Sequence, residues 1–206
     1  MSTSRLSVAV RVLSVLLVGL VSIRLLAVVV PDGLRVWVLA GLPVALLLAA
    51  GLVLLLAGRP RLLARRVARL RPGMPVIAAV TTIETRADAR MSGAVERGWD
   101  ELGGSPVALA VLPDRVEVWA AGEDRPRWAI TRRPEFPPAA VLGTMPLSGV
   151  VRVQPTPALQ FTDGVSRVTV LPVYSAFGVS VPARAMAAVQ RALAELGVPF
   201  TGLAGQ

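Results

Sequence analysis

Two long apolar runs open the chain, and shorter alternating runs fill the remainder. Residues 36–57 contain no charged side chain. At about 1.5 Å per residue, a helix of that length matches a hydrocarbon core of about 30 Å. The earlier run, residues 8–30, carries Arg11 near one end and Arg24 inside. Between Val12 and Val30 it holds 14 Leu, Ile and Val residues. Each of these favours insertion by about 0.3–0.6 kcal/mol at mid-membrane, against a cost of about 2.5–3.5 kcal/mol for one central arginine. The balance favours insertion, and Arg24 is near enough to the end of its run for its stem to carry the guanidinium toward the headgroups. The pattern therefore predicts two transmembrane helices, spans 8–30 and 36–57, joined at Pro31, Asp32 and Gly33, residue types suited to a tight turn. A cleaved signal peptide fits less well, because no small-x-small site follows the first run and a second apolar segment starts soon after it.

Charge fixes the expected topology. Arg5 and Arg11 flank the first run, and Arg59, Arg61, Arg65, Arg66, Arg69 and Arg71 follow the second on the same side, whereas the short turn has only Arg35 against Asp32. By the positive-inside rule both termini are cytoplasmic, which describes a multi-pass protein of the inner or plasma membrane with the lipid bilayer as its first partner. In the second run Gly41, Ala45 and Ala49 recur every four residues, a small-residue stripe that lets helix backbones approach closely. Packing against the first helix at Gly19 and Ser22, or against another copy in a homo-oligomer, both satisfy it.

The basic segment RPRLLARRVARLR reads as a further helix. Leu63, Val67 and Leu70 form one stripe, Arg61, Arg65 and Arg69 another, and Pro72-Gly73 closes it. The chain thus divides into a helical hairpin (1–58), a basic amphipathic linker (59–74) and a cytoplasmic domain (75–206). The six arginines from Arg59 to Arg71 are candidate contacts to anionic lipid, each worth about 1 kcal/mol close to such a surface. A bare topology determinant is the alternative reading.

From Pro75 the period shortens. Candidate strands are 76–83, 107–112, 115–120, 126–131, 149–155, 158–162 and 167–172, with turns at Pro113-Asp114 and Asp163-Gly164. Val116, Val118 and Ala120 alternate with Arg115, Glu117 and Trp119, so this strand has unlike faces and needs a covering layer. The last helix supplies one: Ser180 caps it, Pro182 lies in its first turn, Met186, Val189, Leu193 and Leu196 line one face, and Gly197 ends it. Residues 84–104 suggest a short helix with Met91, Val95 and Leu102 on one side, stopped at Gly103-Gly104.

Seven short strands followed by one amphipathic helix resemble the pleckstrin-homology-like superfold. ALAVLPDRVEVWA resembles the strand-turn-strand element of bacterial pleckstrin-homology and GRAM-like domains, and RPRWAIT the strand after it. The resemblance covers residues 76 to 198. It implies an α+β fold, a bent barrel of seven strands capped by the C-terminal helix, in a membrane-tethered binding module. Lipid-binding members of that group hold phosphoinositides with basic side chains on the first hairpin and nearby strands. Arg125, Arg127, Arg132 and Arg133 are the corresponding partner-binding candidates here, with Glu123, Asp124 and Glu135 offsetting their charge.

Composition narrows the chemistry. The chain has no His and no Cys, and all 22 of its basic residues are arginine. The usual neutral-pH general base, the thiolate nucleophile, the Schiff-base amine and Cys/His zinc sites are therefore absent. The absence of Cys agrees with a reducing compartment. No phosphate-binding loop or dinucleotide fingerprint is present, so no cofactor is expected. Asp100-Glu101 and Glu123-Asp124 are adjacent acids of the kind that turns also use. Residues 1–75 hold ten Arg and one acid, whereas residues 76–206 hold twelve Arg and twelve acids, so the whole +9 excess belongs to the membrane part. A neutral domain argues against nucleic acid as a partner. Trp99, Trp119 and Trp128 read as packing residues ahead of binding anchors. The sequence supports, in order, a non-enzymatic membrane-anchored module that recruits a protein partner, an anionic-lipid sensor, and a membrane enzyme using carboxylates alone.

Overall fold

The computed structural model describes residues 58–94, 98–146, 153–174 and 182–204, with the isolated positions 44, 47, 48 and 51. The chain divides into two compact units, Met1–Leu56 and Ala57–Gln206. In the first, positions 44, 47, 48 and 51 are helical, and Val44, Leu47 and Leu48 are exposed. The remainder of the spans 8–30 and 36–57, with Gly41, Ala45 and Ala49, lies outside the described residues. Among the described residues no helix is long and apolar enough to cross a membrane.

The second unit is α+β. A helix over residues 58–70 (α1) precedes β1 (Val76–Thr81) and α2 (Ile83–Met91). Then come β2 (Pro106–Val111), β3 (Arg115–Ala120), β4 (Trp128–Thr131), β5 (Ala139–Pro146), β6 (Val153–Thr162), β7 (Arg167–Pro172) and α3 (Pro182–Glu195). The strands form one antiparallel sheet, ordered β4-β3-β2-β1-β7-β6-β5 and curled into a half-barrel. Among these strands each pairs with its sequence neighbour except β4 with β5, and β1 also pairs with β7 through Val80↔Leu171. The seam of the curl therefore falls between β4 and β5.

Alternation sorts the two faces. Ile77 and Ala79, Val107, Leu109 and Val111, and Val116, Val118 and Ala120 point into the main core, where they meet Leu159, Phe161, Val168 and Val170. From α3, Val189, Ala192 and Leu193 cover that core, and Gly197 ends the helix at φ +70°. On the opposite face of β2, after Pro106 at its start, the side chains are Ala108 and Ala110. Their small size lets Leu63 and Val67 of α1 seat directly on the sheet beside Trp119. Among the described residues, α3 together with Ala89 of α2 covers the inner face, and α1 packs on the outer face of β2 and β3.

Several local expectations change. The first strand stops at Thr81 because Thr82 begins α2, its backbone N–H donating to Thr85 Oγ1 at 2.7 Å. That helix ends at Met91 and buries Thr85, Asp88 and Ala89, while Met91 and Leu102, expected to share one side of a longer helix, are exposed and Val95 lies outside the described residues. A polar face is buried because β7 offers it partners: Thr82 and Thr85 hydroxyls both donate to the Thr169 carbonyl, and Arg167 donates to Asp88. The strand Ala139–Pro146 was not expected. Residues 153–162 form one strand where two, 149–155 and 158–162, were expected. Pro155 and Pro157 are tolerated because β7 reaches only Leu159–Thr162, leaving that edge of the earlier residues unpaired. Of the last helix, Ser180 lies outside the described residues.

Candidate functional site

The six arginines after the second apolar run separate by what the sheet does with them. Leu63 and Val67 hold α1 against β2 and β3, so the side of the helix they occupy is closed to any other partner. Leu70, expected on the same stripe, is instead exposed, as is Leu62. The helix closes where expected: Arg71 N–H still donates to the Val67 carbonyl, and Gly73 turns the chain at φ +78°. Arg71 then folds back over Trp119, its guanidinium carbon 5.3 Å from the ring centroid, and donates from Nε to Glu117 at 2.8 Å.

Glu117 is the hub of this contact. Its side chain is 2% exposed and accepts bonds from Arg71, from Arg115 Nη2 at 3.0 Å and from Trp119 Nε1 at 3.2 Å. Burial pushes the carboxyl up, but the bonds from Arg71 and Arg115, the attraction of Arg71 and the indole bond outweigh it and hold the group below its ordinary range. Arg66 pairs with Asp124 of the β3–β4 turn. Two of the six arginines therefore tie α1 to the domain. Arg59, Arg65 and Arg69 are exposed, Arg61 is half-buried, and none of these four makes an ion pair among the described residues.

The four arginines of the domain do not converge. Arg125 and Arg127 precede β4 and Arg132 and Arg133 follow it, and the extended strand between Arg127 and Arg132 separates the pairs by about 17 Å. Arg127 is a structural residue: its guanidinium stacks 4.5 Å above Trp99 and pairs with Glu123 at 2.7 Å. Trp99 in turn meets Trp128 edge to face, centroids 5.6 Å apart. All three expected packing tryptophans are buried. Arg125 lines a shallow hollow with Glu123, Asp124, Pro126 and Arg127. At the other end, Arg132 Nη1 donates to the Leu112 carbonyl at 3.0 Å. Arg133 attracts the carboxylate of Asp163, which is held below its ordinary range: burial raises it, and backbone bonds from Ser166, Val165 and Thr131 outweigh that. Phe136 lies against Gly164 there, and Phe136 and Val165 are both exposed.

Sequence reasoning missed the residues that close the seam. On the free edge of β5, Ala204 N–H donates to the Ala140 carbonyl at 2.7 Å, with Leu203 bridged in parallel to Ala140. Four residues on, Glu84 of α2 accepts from Thr144 N–H at 2.9 Å. At the end of β4, the Thr131 backbone is one of the groups that hold the Asp163 carboxylate below its ordinary range. On β5 the Glu84 carboxylate and the Ala204 amide stand in for the missing strand neighbour, which blunts that edge against pairing with another chain. Among the described residues no group of three or more His, Cys, Asp or Glu is placed to hold a metal ion. No family model matches the sequence, and neither a curated protein nor a solved structure matches it.

Proposed function

We propose that the chain is a non-enzymatic membrane-anchored module, whose pleckstrin-homology-like domain recruits a protein partner at the cytoplasmic face. The observation that carries this reading is the seat of α1. The segment that follows the second apolar run in sequence is packed into the sheet by Leu63, Val67 and the Arg71–Glu117 fork, so it is part of the domain and not a separate linker. Anchoring the apolar runs in a bilayer then holds the domain at that bilayer. Meander order, the curl and the terminal helix are compatible with the resemblance drawn from the sequence. The buried acids Glu117 and Asp88 are taken up as arginine partners inside the fold.

The partner surface this reading favours is the end of β4. Arg132 and Arg133 stand there beside exposed Phe136 and Val165, a basic and aromatic mixture typical of binding hot spots. Photo-crosslinking from position 165 of the full chain in native membranes tests it. A discrete protein adduct that Arg133→Glu abolishes, and that position 153 does not yield, is expected. Recovery of the full chain as a detergent-free soluble monomer, or crosslinking to lipid and water alone from both positions, contradicts the reading.

A further inference from the structure

We infer that the outward face of α1 is a contact surface for anionic lipid headgroups, with Arg59, Arg65 and Arg69 as the phosphate-binding side chains and Leu62 and Leu70 as its apolar flanks. This deepens the membrane-anchored reading and rests on it.

The sheet takes the apolar stripe of α1 out of reach of any lipid. An unattached helix of this sequence would turn Leu63 and Val67 to the lipid, as a floating amphipathic segment does. Here both are buried on Ala108, Ala110 and Trp119, so the helix is oriented by the domain and its opposite side is fixed outward. Residues 58–71 contain no acid. Asp124 reaches the helix from the β3–β4 turn and is taken up by Arg66, and Glu117 is taken up by Arg71 and Arg115. Arg59, Arg65 and Arg69 keep their charge exposed and make no ion pair among the described residues.

Leu62, 55% exposed, stands on the outward side three and seven positions before Arg65 and Arg69, and Leu70, 44% exposed, lies at the end of the helix beyond the docked Leu63 and Val67. An exposed leucine beside a cluster of guanidinium groups suits the boundary between headgroups and acyl chains, where stems and leucines sit in the apolar zone and the charges meet phosphate. The uncharged run 36–57 ends immediately before α1 in the sequence, which delivers the helix to that boundary when the run is in a bilayer. A nucleic-acid partner is disfavoured because the rest of the unit is neutral.

The absence of cysteine allows single labels. Leu62→Cys and, separately, Val165→Cys carry an environment-sensitive fluorophore in the full chain, reconstituted into nanodiscs of phosphatidylcholine alone or with added phosphatidylglycerol. The label at position 62 is expected to shift to the blue only with the anionic lipid, and to lose the shift in high salt. The label at position 165 is expected to stay unchanged. Each arginine is worth about fivefold in anionic-lipid preference, the equivalent of about 1 kcal/mol. Replacing Arg59, Arg65 and Arg69 together by Gln should therefore abolish the response, while Arg66→Gln, already paired to Asp124, leaves most of it. The three exposed substitutions spare Leu63, Val67 and Arg71, and retained slow exchange in α1 verifies that the helix is still docked. An equal shift in phosphatidylcholine alone, no shift in either lipid, or a response that survives the triple substitution overturns the inference while leaving the anchored module standing. Failure to enter nanodiscs at all, with a soluble monomer in its place, sinks the membrane reading itself.

Discussion

Arg71 grips Glu117 as a fork, with Nε 2.8 Å from one carboxylate oxygen and Nη2 3.2 Å from the other, across 46 positions of sequence. The pair joins the end of α1 to the middle of β3, and Arg115 and Trp119 complete the carboxylate's bonds. A carboxylate buried this deeply is tolerable only while its partners hold it charged.

That arrangement sets a pH dependence. Glu117 is held below its ordinary range, so its contribution to stability is fully present above the unfolded value of about 4.3 and is lost as pH falls through the folded value. Asp163 is displaced in the same direction and adds to the same acid-side loss. Glu117→Gln should be less stable at neutral pH, by about 2–4 kcal/mol for a buried ionic contact broken on one side. It should also lose stability less steeply below about pH 5, keeping the Asp163 share. Denaturant midpoints followed by tryptophan fluorescence over a pH series check both, and a mutant with the wild-type acid slope contradicts the assignment.

Gly103 and Gly104 separate backbone strain from steric contact. Both have positive φ, +87° and +88°. A Cβ at Gly103 would lie 2.7 Å from the Thr81 carbonyl oxygen, whereas one at Gly104 meets nothing within 4 Å. Gly104→Ala should cost about 1–2 kcal/mol for the left-handed conformation alone. Gly103→Ala should cost about 1–3 kcal/mol more, since the obstacle is backbone. Thermal midpoints of the two variants decide it, and equal midpoints would refute the close approach.

The seam makes a prediction at single amides. Thr144 N–H on the free edge of β5 is held by Glu84, while Val141 and Gly143, of opposite parity, face β6. Glu84→Ala should speed exchange at Thr144 and leave Val141 and Gly143 slow, at a stability cost of about 1–3 kcal/mol for the unpaired donor. Leu203→Asp should do the same near Ala140, where residues 203–204 bridge the strand. Uniform acceleration along the whole of β5 would show that the seam is not closed at these two points.

Residue pattern made some of this fold legible and hid the rest for physical reasons. Alternation in Arg115–Ala120 gave the faces of β3, and Val189 and Leu193 marked the buried side of α3. The strand Ala139–Pro146 was obscured by Pro137-Pro138 before it, Gly143 within it and Pro146 at its end, all of which read as turn residues. The polar face of α2 contradicts amphipathic logic because its burial depends on carbonyl and guanidinium partners from β7, about 80 positions away, which local sequence cannot show. The seat of α1 did leave a signal. The run Val107–Val111 is apolar at every position, where a strand with one wet face would alternate, so β2 requires cover on both sides. The arginine count was legible, but the division into Arg66 and Arg71 inward and Arg59, Arg65 and Arg69 outward followed only from where Asp124 and Glu117 lie.

The membership of α1 in the domain underlies the proposed anchoring and the lipid-facing surface alike, and hydrogen exchange of the full chain in nanodiscs tests it most directly. Amides of the last turns of α1 are expected to exchange as slowly as those of β2 and β3. Val67→Asp, which places a charge where Val67 is fully buried, is expected to release α1 while the inner core stays protected. Wild-type α1 exchanging as fast as the exposed turn at residues 121–125 would contradict the account.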